Sequence, residues 1–598
     1  MHSVPVHDRL ADFTTDRRVL FLAAMAAVIG VASAILGWVL VQLIALVTNL
    51  AFFQTLSFAP SSPAKNQLGA LVIIVPIIGG VLVGLMARYG SDKIRGHGIP
   101  EALEAILMDR SKMSPKVAIL KPISSALAIG TGGPFGAEGP IVMTSGAFGS
   151  LFAQFFHLSS AERKTLLVAG AAGGMAAIFA TPVAALLLGI EIMLFERKPR
   201  SLIPVAVAAV VASAARVFFF GPGPIFPIPP HNAPDGVTLA FAFGVGIIAG
   251  LGAALVTNLV YWCEDAFKRL PVHWMWWPAI GGLFVGIGGL IEPGVLGVGY
   301  DLIHAMLRGE ILGTMLIGLL VGKAVVWSIA LGSGTSGGVL APLLIIGSAM
   351  GSLLAGFIPV GDTGLWAMVA MAAMMSGTLR APMTAMIFAV EATHDFNTLP
   401  ALLIGCITAY GITVLLMRRS ILTEKIARRG LHISQEYSVD SYELLRVGDI
   451  MDQNVPTIPA TMTVSELSRR IAQSDSPLSH RQGTPIVDAQ GNLVGIITRS
   501  DLIQALAHDP LGEQSALEAG TRKLIVTYPD ETLRAAITEM LEHDIGRLPV
   551  VSRENPHQLL GYIGRAGVLN ARMRAVNDEA ARERMLSPRS ALPQKPIM

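Results

Sequence analysis

The sequence predicts an all-α polytopic membrane domain of tilted and broken helices, followed by a cytoplasmic α/β domain. Composition is the first observation: 52% of the 598 residues are hydrophobic and 14% are charged, whereas about a quarter of a soluble domain is charged. The second is that apolar runs fill residues 19–417, while 418–598 has a soluble balance. The third is a tandem repeat within that soluble part.

The apolar segments of the membrane part differ in length. Residues 19–52 and 67–88 are long enough to span a bilayer, whereas four others are short and broken by Gly or Pro: 98–108, 116–129, 139–155 and 337–356. Broken segments imply helices that end inside the bilayer, and their presence in both halves is typical of an inverted-repeat transporter. We predict membrane repeats over 19–220 and 221–425, with the loop GPGPIFPIPPHNAPDG at 221–236 between their spans.

Positive residues flank the apolar region. Arg17 and Arg18 precede it, and Arg418 and Arg419 follow it, which favours the cytoplasm for both ends. We therefore expect a multi-pass protein of the plasma or inner membrane with both termini cytoplasmic. The segment 1–18 leads into the membrane, a linker spans 426–444, and the Arg-, Pro- and Ser-containing tail 574–598 is expected to be flexible.

The soluble part contains the same order of predicted elements twice, over residues 445–508 and 515–573. Each copy has an extended start, an amphipathic helix, an apolar strand (TPIVD, RLPVV), a second strand after Gly (LVGIIT, LLGYIG) and a closing helix. The sequence thus predicts two β-α-β-β-α units.

Several classes of function are disfavoured. A net charge of +2 without a large basic patch gives no indication of nucleic-acid binding. No His/Cys cluster has metal-ligand spacing, and no nucleophile–base pair indicates an enzyme. We expect no required cofactor and no metal site. The two cysteines, Cys263 and Cys406, are interpreted as small buried apolar residues.

Three glycine-rich breaks stand where helices are predicted to start: GHGIPE (96–101), GAEGP (136–140) and GTSGGVLAP (334–342). A helix N-terminus carries about half a positive charge and unpaired N–H donors, so it binds an anion without a cationic side chain. Several such ends converging at the membrane midplane hold a small anion weakly enough to release it. The pattern predicts an anion pathway.

The three breaks, together with RAPMTAMIFAVEATHDF, resemble the signature stretches of the CLC chloride channel and transporter family, and the tandem repeat resembles its pair of CBS domains. The resemblance covers about residues 19–572. It implies a CLC-type inverted repeat, a homodimer in the lipid bilayer with one pore per subunit, and chloride as permeant ion. Glu138 matches the gating glutamate, and the matching anion-binding positions are His97, Gly98, Ile99, Gly136, Ala137, Val339, Leu340 and Leu422.

Some of these positions depart from the family pattern. His97 replaces a serine, Leu340 a phenylalanine and Leu422 the pore tyrosine, so two hydroxyl donors to the central anion are missing. Backbone N–H groups of Ile99, Val339 and Leu340 remain available. His97 either donates from its ring or turns aside and lines the pore with its backbone only.

The proton route of family exchangers is also altered. Their inner proton glutamate corresponds to Ile192, with Glu191 one place earlier, which favours channel-like or proton-uncoupled conduction. A proton/chloride antiporter that uses Glu191, Glu196 or water is the alternative. By default we interpret Glu191 as a buried structural carboxylate with a hydrogen-bonding partner, and Glu391 as a capping or structural residue.

The CBS pair raises a separate question. In GIITRSD, Thr498 is placed to meet phosphate and Asp501 the ribose of an adenine nucleotide, whereas the second copy has Gly564 and Gly567 there. The pair either senses a nucleotide at one site or serves a structural or dimerising role. Membrane spans joined to CBS domains also occur in divalent-cation transporters, but the breaks are rich in N–H donors and poor in acids.

Overall fold

The computed structural model describes residues 18–107, 111–156, 158–194, 198–311, 313–429, 445–473, 478 and 482–570. The chain divides into two compact units, the first ending at residue 434 and the second beginning at residue 435. Residues 1–17 of the predicted N-terminal segment, 430–444 of the linker and the whole tail 574–598 lie outside the described residues.

The first unit is helical, as predicted. The first half contains α1 (Arg18–Phe53), α2 (Ile74–Tyr89), α3 (Ile99–Leu107), α4 (Pro115–Gly130), α5 (Glu138–Gln154), α6 (Ser160–Phe179), α7 (Pro182–Leu188) and α8 (Pro199–Phe220). The second half contains α9 (Gly236–Lys268), α10 (Trp277–Ile291), α11 (Tyr300–Leu307), α12 (Thr314–Ile317), α13 (Lys323–Gly332), α14 (Leu340–Ala355), α15 (Thr363–Leu379), α16 (Pro382–Thr393), α17 (Leu399–Leu416) and α18 (Ile421–Arg428). Within the described residues, seven helices are long and apolar enough to cross a membrane.

The two halves repeat one packing scheme. Helix α1 packs against α8 as α9 packs against α17, and α5 packs against α6 as α14 packs against α15. Helices α2 and α10 cross in close and reciprocal contact. A Cβ atom added to Gly80 of α2 would lie 2.3 Å from the Pro278 carbonyl oxygen of α10. A Cβ atom added to Gly282 of α10 would lie 2.3 Å from the Pro76 carbonyl oxygen of α2. Reciprocal contacts of this kind relate the halves by an approximate two-fold axis, as an inverted repeat requires.

The second unit contains both predicted repeats. Its elements are α19 (Val447–Ile450), β1 (Ile458–Pro459), α20 (Val464–Ala472), β2 (Gly483–Val487), β3 (Leu493–Thr498), α21 (Arg499–His508), α22 (Ala516–Ala519), α23 (Leu533–Glu542), β4 (Arg547–Val551) and β5 (Leu559–Gly564). Strand β1 pairs parallel to β2, and the hairpins β2–β3 and β4–β5 are antiparallel.

The two repeats differ at their extended starts. In the second copy this start makes a single bridge, Thr527 to Val550, in place of a strand. The chain turns immediately afterwards, because Glu531 accepts hydrogen bonds from the Thr527 hydroxyl and the Tyr528 N–H.

Candidate anion site

The three glycine-rich breaks meet at one place. As predicted, each precedes a helix: α3 begins at Ile99, α5 at Glu138 and α14 at Leu340. Isolated bridges join Gly96 to Ser336 and Gly136 to Gly338. Three helix N-termini from both halves therefore point their unpaired N–H groups into the same region.

The approach of these segments depends on glycine. A Cβ added at Gly98 lies 2.3 Å from the Gly139 carbonyl oxygen, and one added at Gly139 lies 2.0 Å from that of His97 and 3.1 Å from Gly338 Cα. Gly98 also has φ of +92°, which disfavours any side chain. The loops can converge only because no Cβ separates them.

Glu138 places its carboxylate across this junction. The side chain is fully buried, Oε1 accepts a hydrogen bond from the Ala341 N–H in the first turn of α14, and Oε2 has no partner among the described residues. A Cβ added at Gly136 lies 1.8 Å from Oε2, so any side chain there displaces the carboxylate. The acidic group is thus held at the positive end of α14, where the sequence had predicted an anion.

The remaining predicted positions are buried or already hydrogen-bonded. The Gly98 N–H donates to Glu101 at 2.7 Å and is therefore already engaged. His97 is buried, and its Nδ1 has no partner within the described part of the chain. Ala137, Val339, Leu340 and Leu422 are buried as well. Glu101 itself pairs with Lys425 at 2.7 Å, a contact that the sequence did not indicate.

Two buried lysines hold equivalent positions in the two halves, and one of them, Lys121, contacts the first break. Lys121 donates to the carbonyls of Ile94 and Gly96, both at 2.8 Å, and Lys323 donates to Val295 and Gly297 at 2.9 and 2.8 Å. Both side chains are 0% exposed. They keep the carbonyls of these segments engaged. Sequence reasoning missed them, although a lysine inside an apolar helix of each half was the available signal.

Glu191 and Glu391 form a reciprocal pair of helix caps. Glu191 accepts hydrogen bonds from the N–H groups of Met383 and Thr384 at 3.2 and 2.8 Å and from the Thr384 hydroxyl at 2.6 Å. Glu391 accepts from Val183 and Ala184 at 3.0 and 2.8 Å. Both carboxylates therefore have the hydrogen-bonding partners that a structural role requires, and both residues are half-buried.

Among the residues that the structure describes, the predicted proton position offers no free carboxylate. Ile192 is 2% exposed and lies in a π-helical stretch, Gly189–Leu194. Glu191, one place earlier, is occupied by its capping bonds. Glu196, the other acidic candidate, lies outside the described residues.

The candidate nucleotide residues of the second unit bond to each other. The Thr498 N–H and hydroxyl both donate to Asp501 at 2.8 Å, and the Asp501 N–H donates to the Thr498 hydroxyl at 3.3 Å. They form a capping box at the start of α21. Gly564 and Gly567, at the matching positions of the second copy, line a cavity of about 980 Å³ that Arg547 and Arg565 also line.

Comparison with known proteins shows the family of this chain. The model of the family described as voltage gated chloride channel matches residues 79–414, and the CBS domain model matches 447–508 and 518–574. The chain belongs to the voltage-gated chloride channel, or CLC, family. It is an integral membrane protein of a family of channels and transporters, and it carries two CBS domains.

Individual relatives agree with this assignment. A putative chloride channel protein, ClcB-like, of Ralstonia nicotianae is 31% identical over 350 residues, covering 56% of this chain and 81% of that protein. The voltage-gated ClC-type chloride channel ClcB of Escherichia coli O81 is 30% identical over 366 residues, covering 60% and 87%.

Solved structures share the CLC fold. A slow cyanobacterial Cl⁻/H⁺ antiporter matches with a TM-score of 0.61 at 22% identity, covering 70% of this chain and 99% of that one. A eukaryotic CLC transporter matches with a TM-score of 0.58 at 19% identity, covering 92% and 98%. The predicted fold class, a helical membrane domain with a CBS pair, is confirmed.

Proposed function

We propose that this CLC protein conducts chloride passively, with Glu138 as the gate and without stoichiometric proton coupling. The observation that carries the proposal is the hydrogen bond from the Ala341 N–H to the Glu138 carboxylate at the N-terminus of α14. An anion at this place receives the same donors, so chloride and the carboxylate compete for them.

Gating follows from that competition. While Glu138 is ionised and in place, its negative charge and its volume exclude chloride from the start of α14. Protonation of the carboxylate, or rotation away from Ala341, frees the donor for the permeant ion. The missing side-chain hydroxyls leave backbone N–H groups of Ile99, Val339 and Leu340 as the expected ligands, with weak binding that permits release.

The residues at the inner proton position favour chloride conduction that is not coupled to protons. Ile192 carries no proton, and Glu191 has two backbone donors and a hydroxyl on its carboxylate, so a proton on Glu191 costs three charge-assisted hydrogen bonds. A proton/chloride antiporter is the second candidate. It needs a route that avoids both residues.

A divalent-cation pathway has less support. Cation pores present oxygen ligands from several acids or carbonyls. The acids in the three converging breaks are Glu101 and Glu138. Lys425 pairs with Glu101, and Lys121 engages the Gly96 carbonyl. The surroundings are therefore rich in donors. The homodimer that the resemblance implies and the cytoplasmic ends that the flanking positive residues favour belong to the same proposal.

The test is chloride efflux from vesicles that contain the purified chain. We expect efflux that collapses a chloride gradient without moving protons against their own gradient. Glu138→Gln is expected to raise efflux about tenfold and to remove most of its pH dependence, whereas Glu310→Gln, on the exposed surface, changes neither. Chloride-tight vesicles would overturn the proposal, and chloride-driven uphill proton movement would select the antiporter.

A further inference from the structure

Cationic and aromatic side chains cluster where two membrane spans have neighbouring ends. The first span ends at Tyr89 of α2, and the second begins with the 3₁₀ turn Trp274–Trp276, just before α10. A Cβ atom added to Gly84 of α2 would overlap the Met275 carbonyl oxygen, so the turn packs directly on the end of α2. Helix α18 contacts the end of α9 shortly before this turn. Under the orientation predicted from the sequence, these span ends therefore face the cytoplasm.

Four side chains form a continuous ladder across the two span ends. Arg88 Nη1 lies 3.1 Å from His273 Nε2, and the centroids of the His273 and Trp274 rings are 5.2 Å apart. The Arg95 guanidinium lies over the Trp274 ring, 4.5 Å from its centroid. We call Arg88, His273, Trp274 and Arg95 the cationic ladder. Arg88 and His273 are exposed, and the other two are half-buried, so a ligand at the membrane surface can reach all four.

The cationic ladder presents hydrogen-bond donors without matching acceptors. His273 Nδ1 accepts a hydrogen bond from the Met275 N–H at 3.2 Å. A neutral imidazole has one donor and one acceptor, so Nε2 carries the hydrogen and faces Arg88 Nη1, which is also a donor. The Nε of Arg95 is buried and donates to no acceptor among the described residues. Donors left unpaired in this way are stabilised by an acceptor oxygen from outside the chain.

We propose that the cationic ladder binds the phosphodiester of an anionic phospholipid in the cytoplasmic leaflet. One phosphate oxygen accepts hydrogen bonds from both Arg88 and His273, and another accepts from Arg95. Arginine suits this task because its planar fork of donors matches the oxygens of a phosphate group. The acyl chains of the lipid lie along α2.

The surface of α2 favours a lipid over a soluble phosphate. One face of the helix carries exposed apolar side chains at intervals of three or four residues, and this face leads to the cationic ladder: Ile74, Ile78, Leu82, Leu85 and Tyr89. Trp276, in the turn beside the ladder, is 44% exposed. Tryptophan and tyrosine are enriched at the level of the lipid headgroups. A phosphate held at the ladder therefore has an apolar path for its acyl chains directly below it.

The charges around Arg95 favour one negative charge on the ligand. The acids that act on this guanidinium are Asp92, Glu101 and Glu264. Glu101 and Glu264 have lysine partners at 2.7 and 2.8 Å, and of the three Asp92 is left without an ion pair within the described part of the chain. Arg88 and Arg95 together thus exceed the opposing acid by one charge. A phosphodiester monoanion matches this balance, whereas a cationic choline headgroup is disfavoured.

A lipid on Arg95 also bears on the anion site. Arg95 directly precedes Gly96 of the first break, and its Nη2 lies 2.7 Å from a Cβ atom added to Gly334 of the third break. A bridge joins Gly96 to Ser336 beside this contact. A headgroup that fixes Arg95 therefore holds two of the converging breaks together. This second consequence rests on the proposed function, whereas lipid binding itself does not, so the two are measured separately.

Binding is measured by native mass spectrometry of the full purified chain in detergent, with phosphatidylglycerol or phosphatidylcholine added at rising concentrations. We expect the first phosphatidylglycerol to bind about tenfold more tightly than phosphatidylcholine. Arg88→Gln is expected to weaken phosphatidylglycerol binding about fivefold, and the double variant with Arg95→Gln about 25-fold. Because Arg88 is exposed, its replacement leaves the fold intact. Glycerol 3-phosphate, which has no acyl chains, is expected not to compete at about 1 mM.

Lys198→Gln is the matched control, because Lys198 is an exposed cation at the start of another span, α8, which packs against α1 and α6. It is expected to keep the full affinity for phosphatidylglycerol. Equal affinity for the two lipids, or an unchanged affinity in both arginine variants, would overturn the site. Competition by glycerol 3-phosphate at that concentration would overturn the lipid assignment.

The link to the anion site is measured as chloride efflux from phosphatidylcholine vesicles with and without about 25% phosphatidylglycerol. We expect the anionic lipid to speed efflux about threefold in the unmodified chain and in Lys198→Gln, and to leave Arg88→Gln unchanged. The surface potential of the vesicles acts equally on all three chains. Lipid binding without any effect on efflux would keep the site and reject its link to the breaks. Chloride-tight vesicles would reject the proposed function, while mass spectrometry still tests the lipid site.

Discussion

Removing the Glu191 carboxylate tests whether the reciprocal caps hold the two membrane halves together. The carboxylate receives two N–H groups and one hydroxyl from the first turn of α16. Hydrogen bonds to a charged acceptor contribute about 1.5–3 kcal/mol each when buried. Met383 is 42% exposed, so the hydrogen bond from its N–H is counted at less than this value. Glu191→Ala is therefore expected to lower the free energy of unfolding by about 2–4 kcal/mol.

The assay is thermal unfolding of the full chain in detergent. A loss of this size is expected to lower the Tm by about 3–6 °C. Glu391→Ala, which removes the equivalent cap on α7, is expected to lower it by a similar amount. Glu310→Ala is the control, because Glu310 is exposed and 3.9 Å from Arg308. A Tm of Glu191→Ala that stays within about 1 °C of the unmodified chain would refute the capping role.

The isosteric variant separates structure from proton transfer. Glu191→Gln keeps one oxygen acceptor and loses the charge, so an intermediate decrease in Tm is expected. Its ratio of proton to chloride movement is expected to equal that of the unmodified chain. A change in that ratio would show that Glu191 carries protons.

Three further outcomes are expected. If the His97 ring lines the pore, His97→Ser changes the rate of chloride efflux; an unchanged rate assigns only the backbone to the pore. The His231 ring lies with Nδ1 2.5 Å from an Asp395 carboxylate oxygen and Nε2 3.0 Å from an Asp362 carboxylate oxygen. His231→Gln is expected to lower the Tm by about 2–4 °C, and an unchanged Tm contradicts a structural role for these two contacts. Calorimetry with ATP, ADP and AMP on the full chain is expected to show no nucleotide heat that depends on Asp501, because that carboxylate caps α21; heat abolished by Asp501→Asn contradicts this.

Much of the architecture was predictable because glycine and proline act locally. The helix starts at Ile99, Glu138 and Leu340 follow from the breaks that precede them. The strands of the CBS pair follow from short apolar runs after turn residues. These signals lie within a few residues of the feature that they predict.

The parts that escaped prediction depend on residues far apart in the chain. The Glu101 carboxylate binds the Gly98 N–H and also Lys425, 324 residues later. Ala341 became a donor to Glu138 only through the approach of α5 and α14. Lys121 and Lys323 had no acidic partner to suggest a role, because their partners are backbone carbonyls.

The central claim is that helix N-termini, through their peptide N–H groups, bind the permeant anion at the place where the Glu138 carboxylate lies. Bromide-soaked crystals of Glu138→Ala, measured at the bromine absorption edge, locate a bound halide directly. We expect an anomalous peak within hydrogen-bonding reach of the Leu340 and Ala341 N–H groups. Bromide bound only at Lys121, Lys323 or surface cations, with no peak at the start of α14, would contradict the claim.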